Sequence, residues 1–278
     1  MLIDWKRLAL ESYKKIKLEL YNLEKKPCLW AILVWNNSSS LWYISQKEKW
    51  CDYVWMDFYL EKLSENTSQE ELEKVVERFN NDEKITWFIV QLPLPENIDV
   101  KKIINKINPI KDVDWFHIEN QWKIVIWDNS WSVACTPAWI LQLINSVEKN
   151  LEWKVVTVIW KSNIVWKPII NLLINLWATV ICCNSKTKNL ENFTLNSDII
   201  ISATWKNWVL NKNMVKKWSI IIDVWFLVVD WKIIWDVKDT EEIDKMWCFI
   251  TPVPGWVWPM TVVNLINNTL KIYKLWKI

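Results

Sequence analysis

Two side chains on one predicted helix have the types and spacing that proton transfer needs. Tyr43 and Lys47 are four residues apart in SSSLWYISQKEKW, so a helix places them on the same face. A lysine held beside a tyrosine and an amide can have its pKa lowered by loss of water, and it can then carry protons. The alternative is a surface lysine next to a packed tyrosine. The spacing alone leaves both interpretations open.

An amide and a carboxylate stand in segments that could hold them beside such a lysine. Gln91 opens QLPLP, in which two prolines stop a predicted strand over residues 85–90 and keep its end rigid. Asp114 closes NPIKDVD, a polar loop over residues 108–114. His117 is the only histidine, and we expect it to form hydrogen bonds in a loop rather than to act as a base.

A second group of residues could bind a nucleotide. Residues 153–173, WKVVTVIWKSNIVWKPIINLL, predict a buried strand over 155–159, a tight loop and a helix whose first turn holds Pro168. Open α/β sheets bind nucleotides at the carboxyl ends of such strands, where Lys161 and Lys186 could meet a phosphate. The loop lacks the G-x-G-x-x-G pattern, so an ordinary structural turn is the alternative.

The loop has tryptophan at positions 160 and 166, where close approach of a phosphate favours glycine. The whole chain contains 1 glycine and 26 tryptophans, although roughly 20 glycines are expected at this length. Many of the tryptophans stand in turn contexts, namely Trp115, Trp225, Trp231, Trp256 and Trp258. Our hypothesis is that the gene uses UGA as a glycine codon and was translated with UGA as tryptophan. The alternative is a tryptophan-rich protein with unusual turns.

The remaining composition is that of a soluble protein. A chain of 278 residues can form one large domain or two medium ones, and a net charge of +2 argues against a nucleic-acid partner. The six cysteines lack metal-type CxxC spacing, so we expect reduced core residues in a cytoplasmic protein. No signal peptide or membrane-spanning run is apparent.

The elements that must position these residues alternate between helices and strands. Helices are predicted over 4–25, from Ser39 or Ser40 to 53, and over 68–79, 99–107, 137–148 and 259–274. Strands are predicted over 29–34, 54–59, 85–90, 155–159, 178–182, 198–202 and 219–224. This alternation predicts an α/β fold with mainly parallel sheets in two domains. We expect a catalytic domain over 1–120 and a Rossmann-like nucleotide-binding domain over 121–278, with the last helix returning to the first domain.

A resemblance to a known family follows when tryptophan is replaced by glycine. The segments SSSLGYISQK, VQLPLP, PIKDVDGFH, ACTPAGI, GKSNIVGKP, NSKT, DVG, GDV and TPVPGGVGPMT resemble the bifunctional methylenetetrahydrofolate dehydrogenase/methenyltetrahydrofolate cyclohydrolase family. They occur in that family's order and cover nearly the whole chain. VQLPLP, KDVD and TPVPG need no replacement. The match to KDVDGF and TPVPGGVGPMT is highly specific.

The resemblance implies two reactions on one folate. With NADP, 5,10-methylenetetrahydrofolate would be oxidised to 5,10-methenyltetrahydrofolate, which water would open to 10-formyltetrahydrofolate. Lys47 matches the catalytic lysine, with Tyr43 and Gln91 positioning it and the folate. Asp114 matches the carboxylate that hydrogen-bonds the pterin, where a planar pair of donors favours an acidic partner. Relatives are homodimers, so a homodimer is implied as well.

The resemblance also implies the binding loops. Pro252 and Gly255 match the segment that lines the folate cleft, and the cofactor-contacting positions are matched by Trp160, Lys161, Ser162, Ser185 and Phe226. Lys161 stands where many relatives have arginine, and Asn184 stands where the family often has histidine, so the preference for NADP over NAD stays open. Phe226 is bulkier than the usual isoleucine.

Three other functions remain as alternatives at this point. The first is a dehydrogenase without cyclohydrolase activity, in which Lys47 would have no part in hydrolysis. A non-enzymatic binding module would expose its tryptophans on one face for stacking on sugars or bases. The third is a relative that has lost catalytic activity. The joint presence of Tyr43, Lys47, Gln91 and Asp114 argues against it.

Overall fold

A computed structural model describes most of the chain. The described residues are 1–35, 37–128, 133–160, 166–204, 206–224, 226–229, 232–252 and 259–276, with the backbone alone described for 160, 226–229, 232–234, 259 and 276. Among the predicted site residues, Lys161, Ser162 and Gly255 lie outside this set, as do Trp225, Trp231, Trp256 and Trp258. None of the described helices has the length and apolar character needed to cross a bilayer.

Helices and strands alternate along most of the described chain, with one run of consecutive helices in its first half and one run of consecutive strands in its second half. In the first half they are α1 (Trp5–Tyr21), β1 (Cys28–Val34), α2 (Ser38–Val54), β2 (Asp57–Leu63), α3 (Gln69–Asn81), β3 (Phe88–Val90), α4 (Val100–Lys106), α5 (Ile118–Val125) and α6 (Cys135–Asn145). In the second half they are β4 (Val155–Trp160), α7 (Trp166–Asn175), β5 (Thr179–Cys183), α8 (Leu190–Thr194), β6 (Ile199–Ala203), β7 (Ile220–Asp223), β8 (Phe226–Val229), β9 (Lys232–Trp235), α9 (Thr240–Lys245), β10 (Phe249–Ile250) and α10 (Pro259–Trp276).

The chain divides into two compact α/β units. One unit contains residues 9–135 and 261–278, and the other contains residues 1–8 and 136–260. In the first unit a three-stranded parallel sheet has the order β2-β1-β3. In the second a five-stranded parallel sheet has the order β10-β7-β6-β4-β5, and β8 and β9 form an antiparallel hairpin. The predicted α/β class with mainly parallel sheets is confirmed.

Each sheet has its own apolar core. In the first unit, Ile32 and Val90 from the sheet pack with Leu72, Val76 and Phe79 from α3. In the second unit a separate cluster joins the strands to the helices, with members such as Ile159, Ile200, Ile221, Ile243 and Ile250. The strands β3, β6 and β7 are buried at every position. Strands buried on both faces need apolar residues throughout, which is why these strands appear in the sequence as short continuous apolar runs.

Some predicted boundaries differ from the structure. Asn37 rather than Ser39 or Ser40 caps α2, because its side chain accepts hydrogen bonds from both of those backbone N–H groups. The strand expected over 54–59 begins at Asp57, since Val54 is the last residue of α2 and Trp55 takes a left-handed conformation. The capping box of α3, Ser68 with Glu71, is present as predicted. The structure draws its unit boundary at residues 135 and 136, whereas the expected domain boundary at 120 stays a prediction.

Left-handed backbone conformations are concentrated at tryptophan. Among the described residues, eleven that are not glycine have φ between 52° and 84°, and nine of these eleven are tryptophan. They are Trp35, Trp55, Trp115, Trp127, Trp153, Trp177, Trp208, Trp218 and Trp247. Residues with a Cβ atom are disfavoured in this region, and bulky ones especially so. The structure therefore places tryptophan where glycine is the usual residue.

Candidate active site

Lys47 lies on the buried face of α2. The buried residues of this helix, Ser40, Ile44, Lys47, Cys51 and Val54, recur at intervals of three or four, so the lysine belongs to the stripe that faces the core. Its side chain is 8% exposed, and its Nζ donates a hydrogen bond of 2.7 Å to Oε1 of Gln91. The interpretation of Lys47 as a surface lysine is therefore wrong.

Gln91 presents its amide oxygen to Lys47 in a fixed orientation. It follows the last residue of β3, and its backbone N–H donates to Ile32 O at 2.9 Å, which continues the sheet by one residue. Its side-chain Nε2 donates to Leu92 O at 2.6 Å. Because the amide nitrogen is already bonded to the backbone, the amide oxygen is the atom left to face the lysine.

Asp114 is held near Lys47 by a loop that is organised around Asp112. The Asp112 carboxylate is 2% exposed and accepts hydrogen bonds from Trp115 N at 3.0 Å, His117 N at 2.8 Å and Asn120 Nδ2 at 3.2 Å. Phe88 N of β3 donates to Lys111 O at 3.0 Å, which joins the loop to the sheet. The loop that carries Asp114 is thus fixed at both ends before any ligand binds.

His117 has the structural role that the sequence predicted. Its Nδ1 accepts from Glu119 N at 3.2 Å, so it caps α5, and its Nε2 lies 3.2 Å from Asn105 O, to which it can donate. Both ring nitrogens thereby have hydrogen-bonding partners. His117 is therefore a hydrogen-bonding residue of the loop.

Burial shifts the pKa values of Lys47 and Asp114 toward each other. Burial lowers the pKa of Lys47, although the negative charge of Asp114 acts in the opposite direction. Burial raises the pKa of Asp114 to about 6, the charge of Lys47 lowers it, and the charge of Asp112 raises it further. The amine therefore gives up its proton more easily than an exposed lysine does. A group with that property is suited to carry protons near neutral pH.

Tyr43 lies one helical turn before Lys47, as predicted, and is half-buried. Its ring packs edge-on against Trp42, with 5.5 Å between the ring centroids. Burial raises the pKa of its phenol, so the hydroxyl keeps its proton at neutral pH and can donate a hydrogen bond. Of the four predicted residues, the structure brings Lys47, Gln91 and Asp114 together and places Tyr43 on the same helix face as Lys47.

Two contributors to this site were not singled out by the sequence. Cys135, expected only as a core residue, is a buried free thiol close enough to interact electrostatically with Asp114 and Lys47, and burial holds its pKa well above the usual range. Asn268 of α10 donates to Val113 O at 3.2 Å and Val133 O at 2.9 Å. A sequence signal for Asn268 did exist, because it is an amide on the apolar stripe of a helix.

The second unit has the topology of a dinucleotide site. The chain leaves β4 to form β5 on one side and then returns to form β6 on the other, so the order reverses at β4. Open parallel sheets bind ligands at the carboxyl ends of the two strands that flank such a reversal. Trp160 ends β4 at this edge. Phe226 opens β8, and Pro252, which follows Thr251 directly, is half-buried.

The loop after β5 fits NADP. Residues 184–188, NSKTK, contain two lysines and no acidic residue, and Ser185 and Lys186 are exposed. Asn184 N donates to Thr187 Oγ1 and Lys186 N donates to Asn184 Oδ1, both at 2.9 Å, which gives the loop a fixed turn. An acidic residue here would favour the free ribose hydroxyl of NAD, whereas lysine favours a 2′-phosphate. No group of three or more His, Cys, Asp and Glu in the described ranges could hold a metal ion.

Comparison with known proteins gives the same result for both halves of the chain. Residues 3–114 match the model of the tetrahydrofolate dehydrogenase/cyclohydrolase catalytic domain, and residues 134–277 match that of the NAD(P)-binding domain of the same family. The bifunctional protein FolD of Mycoplasma mycoides subsp. mycoides SC is 40% identical over 265 residues, which cover 94% of this chain and 91% of the relative.

Solved structures agree with the sequence matches. The FolD dehydrogenase/cyclohydrolase of Campylobacter jejuni superposes with a TM-score of 0.94 at 36% identity and covers 99% of each chain. The FolD of Trypanosoma brucei, solved in complex with NADP cofactor and an inhibitor, superposes with a TM-score of 0.92 at 28% identity and covers 100% of this chain and 98% of its own.

Proposed function

The chain belongs to the tetrahydrofolate dehydrogenase/cyclohydrolase family, and we propose that Lys47 serves the hydrolytic half of its chemistry. The enzyme is bifunctional: it oxidises 5,10-methylenetetrahydrofolate to 5,10-methenyltetrahydrofolate with NADP, and it hydrolyses the product to 10-formyltetrahydrofolate. The observation that carries the residue assignment is the buried 2.7 Å hydrogen bond from Lys47 Nζ to Gln91 Oε1. NADP, when bound, supplies the acceptor for the hydride.

Lys47 has a proton-transfer task in the hydrolysis. The attacking water gives up two protons: one ends on the ring nitrogen whose bond to carbon breaks, and the other is released. An amine whose pKa is lowered by burial can take a proton from the water and pass one to the leaving nitrogen. The acceptor oxygen of Gln91 keeps Nζ in one place while the proton moves.

Tyr43 and Asp114 hold the folate in this proposal. Asp114 accepts a pair of N–H groups from the pterin ring, because a carboxylate can bond two parallel donors at once. Its position is supported by the Asp112 hydrogen bonds that fix the loop. Tyr43, protonated at neutral pH, orients the ring from the same helix face as Lys47. Pro252 and Gly255 line the folate cleft, and the cofactor is held by position 160, Lys161, Ser162, Ser185 and Phe226.

A substitution at Lys47 tests the assignment. In Lys47→Met, we expect methenyl hydrolysis to be lost by at least about a hundredfold, the usual contribution of a general acid–base group, while NADP reduction continues. The control is Lys49→Met, which changes an exposed lysine two residues along the same helix. Hydrolysis by Lys47→Met at the rate of the Lys49→Met control would remove Lys47 from the mechanism. Hydrolysis absent from the parent enzyme would identify a monofunctional dehydrogenase.

The natural protein, we propose further, carries glycine at most of the tryptophan positions. Nine of the eleven left-handed residues that are not glycine are tryptophan, which is support independent of composition. The indole N–H groups of the buried Trp87 and Trp115 also lack a hydrogen-bond partner within the described part of the chain. Buried donors are nearly always bonded, and glycine has no side-chain donor. A binding module with tryptophans on one face is disfavoured, because Trp87, Trp115 and Trp139 are fully buried.

Peptide masses of the natural protein decide this point. Cleavage after lysine gives residues 155–161, 162–167 and 207–212, which contain Trp160, Trp166 and Trp208 in turn. We expect glycine in all three peptides, together with UGA codons in the gene. Tryptophan in these peptides, or UGG codons, would refute the proposal.

We also propose that the enzyme is a homodimer located in the cytoplasm. The resemblance implies the dimer, and light scattering of the purified enzyme tests it by giving one or two chain masses. The cytoplasmic location is supported by the cysteines, since all six are free thiols, as is usual in a reducing compartment.

A further inference from the structure

A buried carboxylate ties together two residues at the carboxyl end of β6. Asp236 follows β9 and is 2% exposed. One of its oxygens, Oδ2, accepts from Ser202 Oγ at 2.7 Å and from Thr204 N at 2.6 Å. Ser202 is inside β6 and Thr204 is the first residue after it. A single oxygen therefore fixes the direction in which the chain leaves the strand.

A second buried carboxylate extends the same line of hydrogen bonds. Asp223 ends β7, is 2% exposed, and accepts from Val237 N at 3.1 Å through Oδ2. Its backbone N–H donates to Thr251 Oγ1 at 2.9 Å, and Thr251 Oγ1 donates to Asp223 O at 3.2 Å. The segment Asp236-Val237 is thus bonded to the ends of both β6 and β7, and β7 is bonded to the residue after β10.

This line of hydrogen bonds runs along the edge where the cofactor binds. The strand order reverses at β4, so the crevice for a dinucleotide lies at the carboxyl ends of β4 and β6. Thr204 directly follows β6 and borders that crevice. At the other end Thr251 directly precedes Pro252 of the folate segment. The network therefore begins at the cofactor crevice and ends at the segment proposed to line the folate site.

We infer that Asp236 is a positioning residue for NADP and acts through the main chain at Thr204. The inference rests on the proposed function, because it requires an NADP site at this edge of the sheet. Without the carboxylate, the Thr204 N–H and the Ser202 hydroxyl lose their shared acceptor in a buried place, and the chain after β6 becomes free to move. Binding of NADP must then order that segment, so its affinity falls.

The expected effect is on affinity rather than on turnover. For Asp236→Ala we expect the dissociation constant of NADP to rise about tenfold or more, the range set by one unsatisfied buried group. The turnover number at saturating NADP should change by less than about threefold, because Asp236 touches no reacting atom. Asp236→Asn keeps one carbonyl oxygen as an acceptor and should recover most of the affinity.

A carboxylate at the opposite edge of the same sheet is the matched control. Asp198 precedes β6 and accepts from Val155 N at 2.8 Å and Lys216 Nζ at 2.7 Å, so it also joins separate segments of this unit. Asp198→Ala should lower the melting temperature and leave the dissociation constant of NADP within about twofold of the parent, because the amino ends of the strands lie away from the crevice.

The experiment uses the full-length enzyme with the residues that the natural protein has at the tryptophan positions. NADP binding is measured by calorimetry, and NADP reduction, methenyl hydrolysis and thermal unfolding are measured beside it. Weakened NADP binding in Asp236→Ala, with recovery in Asp236→Asn and unchanged hydrolysis, supports the inference. Equal weakening in Asp198→Ala, or unchanged affinity in Asp236→Ala, overturns it.

Two further outcomes distinguish a failure of this inference from a failure of the proposed function. If Asp236→Ala does not fold, Ser202→Ala replaces it, since this change removes one of the two donors to the same oxygen. We then expect a smaller rise in the dissociation constant, and no rise overturns the inference. If the parent enzyme binds no NADP, the proposed function fails first and the inference fails with it.

Discussion

At the scale of single residues, the amide of Gln91 decides the position of Lys47. Its Oε1 is a buried acceptor for the lysine, and its Nε2 is bonded to Leu92 O. In Gln91→Leu the buried nitrogen of Lys47 loses its acceptor, which costs about 1–3 kcal/mol of unfolding free energy. Methenyl hydrolysis should fall in parallel, since Nζ is no longer held. Denaturant unfolding and the hydrolysis rate measure the two effects.

The control for that change is a second glutamine of the same unit. Gln69, the first residue of α3, donates to Glu73 Oε1 in the same helix and accepts from the backbone N–H of Asp99, the residue that caps α4. Gln69→Leu should lower stability without a specific loss of hydrolysis. A Gln91→Leu enzyme as stable and as active as the parent would show that Lys47 needs no fixed acceptor.

The pKa of Asp114 sets a second prediction at this scale. Burial raises that pKa to about 6, so the carboxylate that we propose accepts the pterin N–H groups is present above this pH and is lost as the pH falls through it. We expect the KM for 5,10-methylenetetrahydrofolate to rise below about pH 6. The positive charge of Lys47 lowers the pKa of Asp114, so in Lys47→Met the rise should begin at a higher pH.

The measurement is the KM as a function of pH in the direction of NADP reduction, for the parent and for Lys47→Met. A rise centred near pH 4 in the parent would show that Asp114 is not desolvated in the free enzyme. An identical pH dependence in the two proteins would show that Lys47 and Asp114 do not interact.

At the scale of elements, two helix C-termini place tryptophan in a turn that usually contains glycine. After α7, Trp177 N donates to Ile174 O at 3.0 Å and Ala178 N donates to Leu173 O at 3.1 Å, and Trp177 has φ 62°. The same pair of bonds follows α5, where Trp127 N donates to Ile124 O and Asp128 N to Lys123 O. This is the Schellman motif, in which glycine is the usual residue at the left-handed position.

A stability measurement at position 177 follows from this geometry. Two proteins are compared that differ only there, one with tryptophan and one with glycine, and both have glycine at the other left-handed positions. We expect glycine to raise the unfolding free energy by about 1 kcal/mol, the cost of a left-handed residue that has a Cβ atom. The exposure of Trp177, at 78%, means that little packing is lost.

Position 122 is the matched control for that comparison. Trp122 is exposed as well but lies inside α5. Glycine should be neutral or lower the unfolding free energy there by roughly 0.5 kcal/mol, because it is a poor helix former. The same sign at both positions would contradict the conformational explanation.

Sequence patterns predicted local structure better than they predicted long-range contacts. The strands β1 and β3 to β7 and the capping box of α3 depend on neighbours a few residues away, and the sequence predicted them. The sequence predicted β2 three residues too early and did not predict β8, β9 or β10. The fixed position of Asp114 depends on the hydrogen bond between Asp112 and Asn120. The Cys135 thiol accepts a hydrogen bond from Asn268, which is 133 residues away. Those contacts exist only after folding. Their residue types indicated hydrogen bonding, but not which partner each residue would bond.

At the scale of the whole molecule, the left-handed tryptophans matter by their number. Each costs about 1–2 kcal/mol, and because they lie in separate turns, their effects should add approximately. Nine such positions together cost on the order of 10 kcal/mol, which is as large as the entire stability of a typical domain. We therefore expect the chain with tryptophan at all 26 positions to fold poorly and to bind no nucleotide.

Three versions of the full chain test this expectation and separate its two causes. The first has the tryptophans, the second has glycine at the nine left-handed positions alone, and the third has the residues of the natural protein. We expect cooperative thermal unfolding only in the second and third, because the backbone cost is removed in both. NADP should bind only to the third, because the second keeps tryptophan at positions 160 and 166, where close approach of a phosphate favours glycine. Cooperative unfolding and tight NADP binding by the first version would show that the fold accepts tryptophan in its turns, and the glycine proposal would then be wrong.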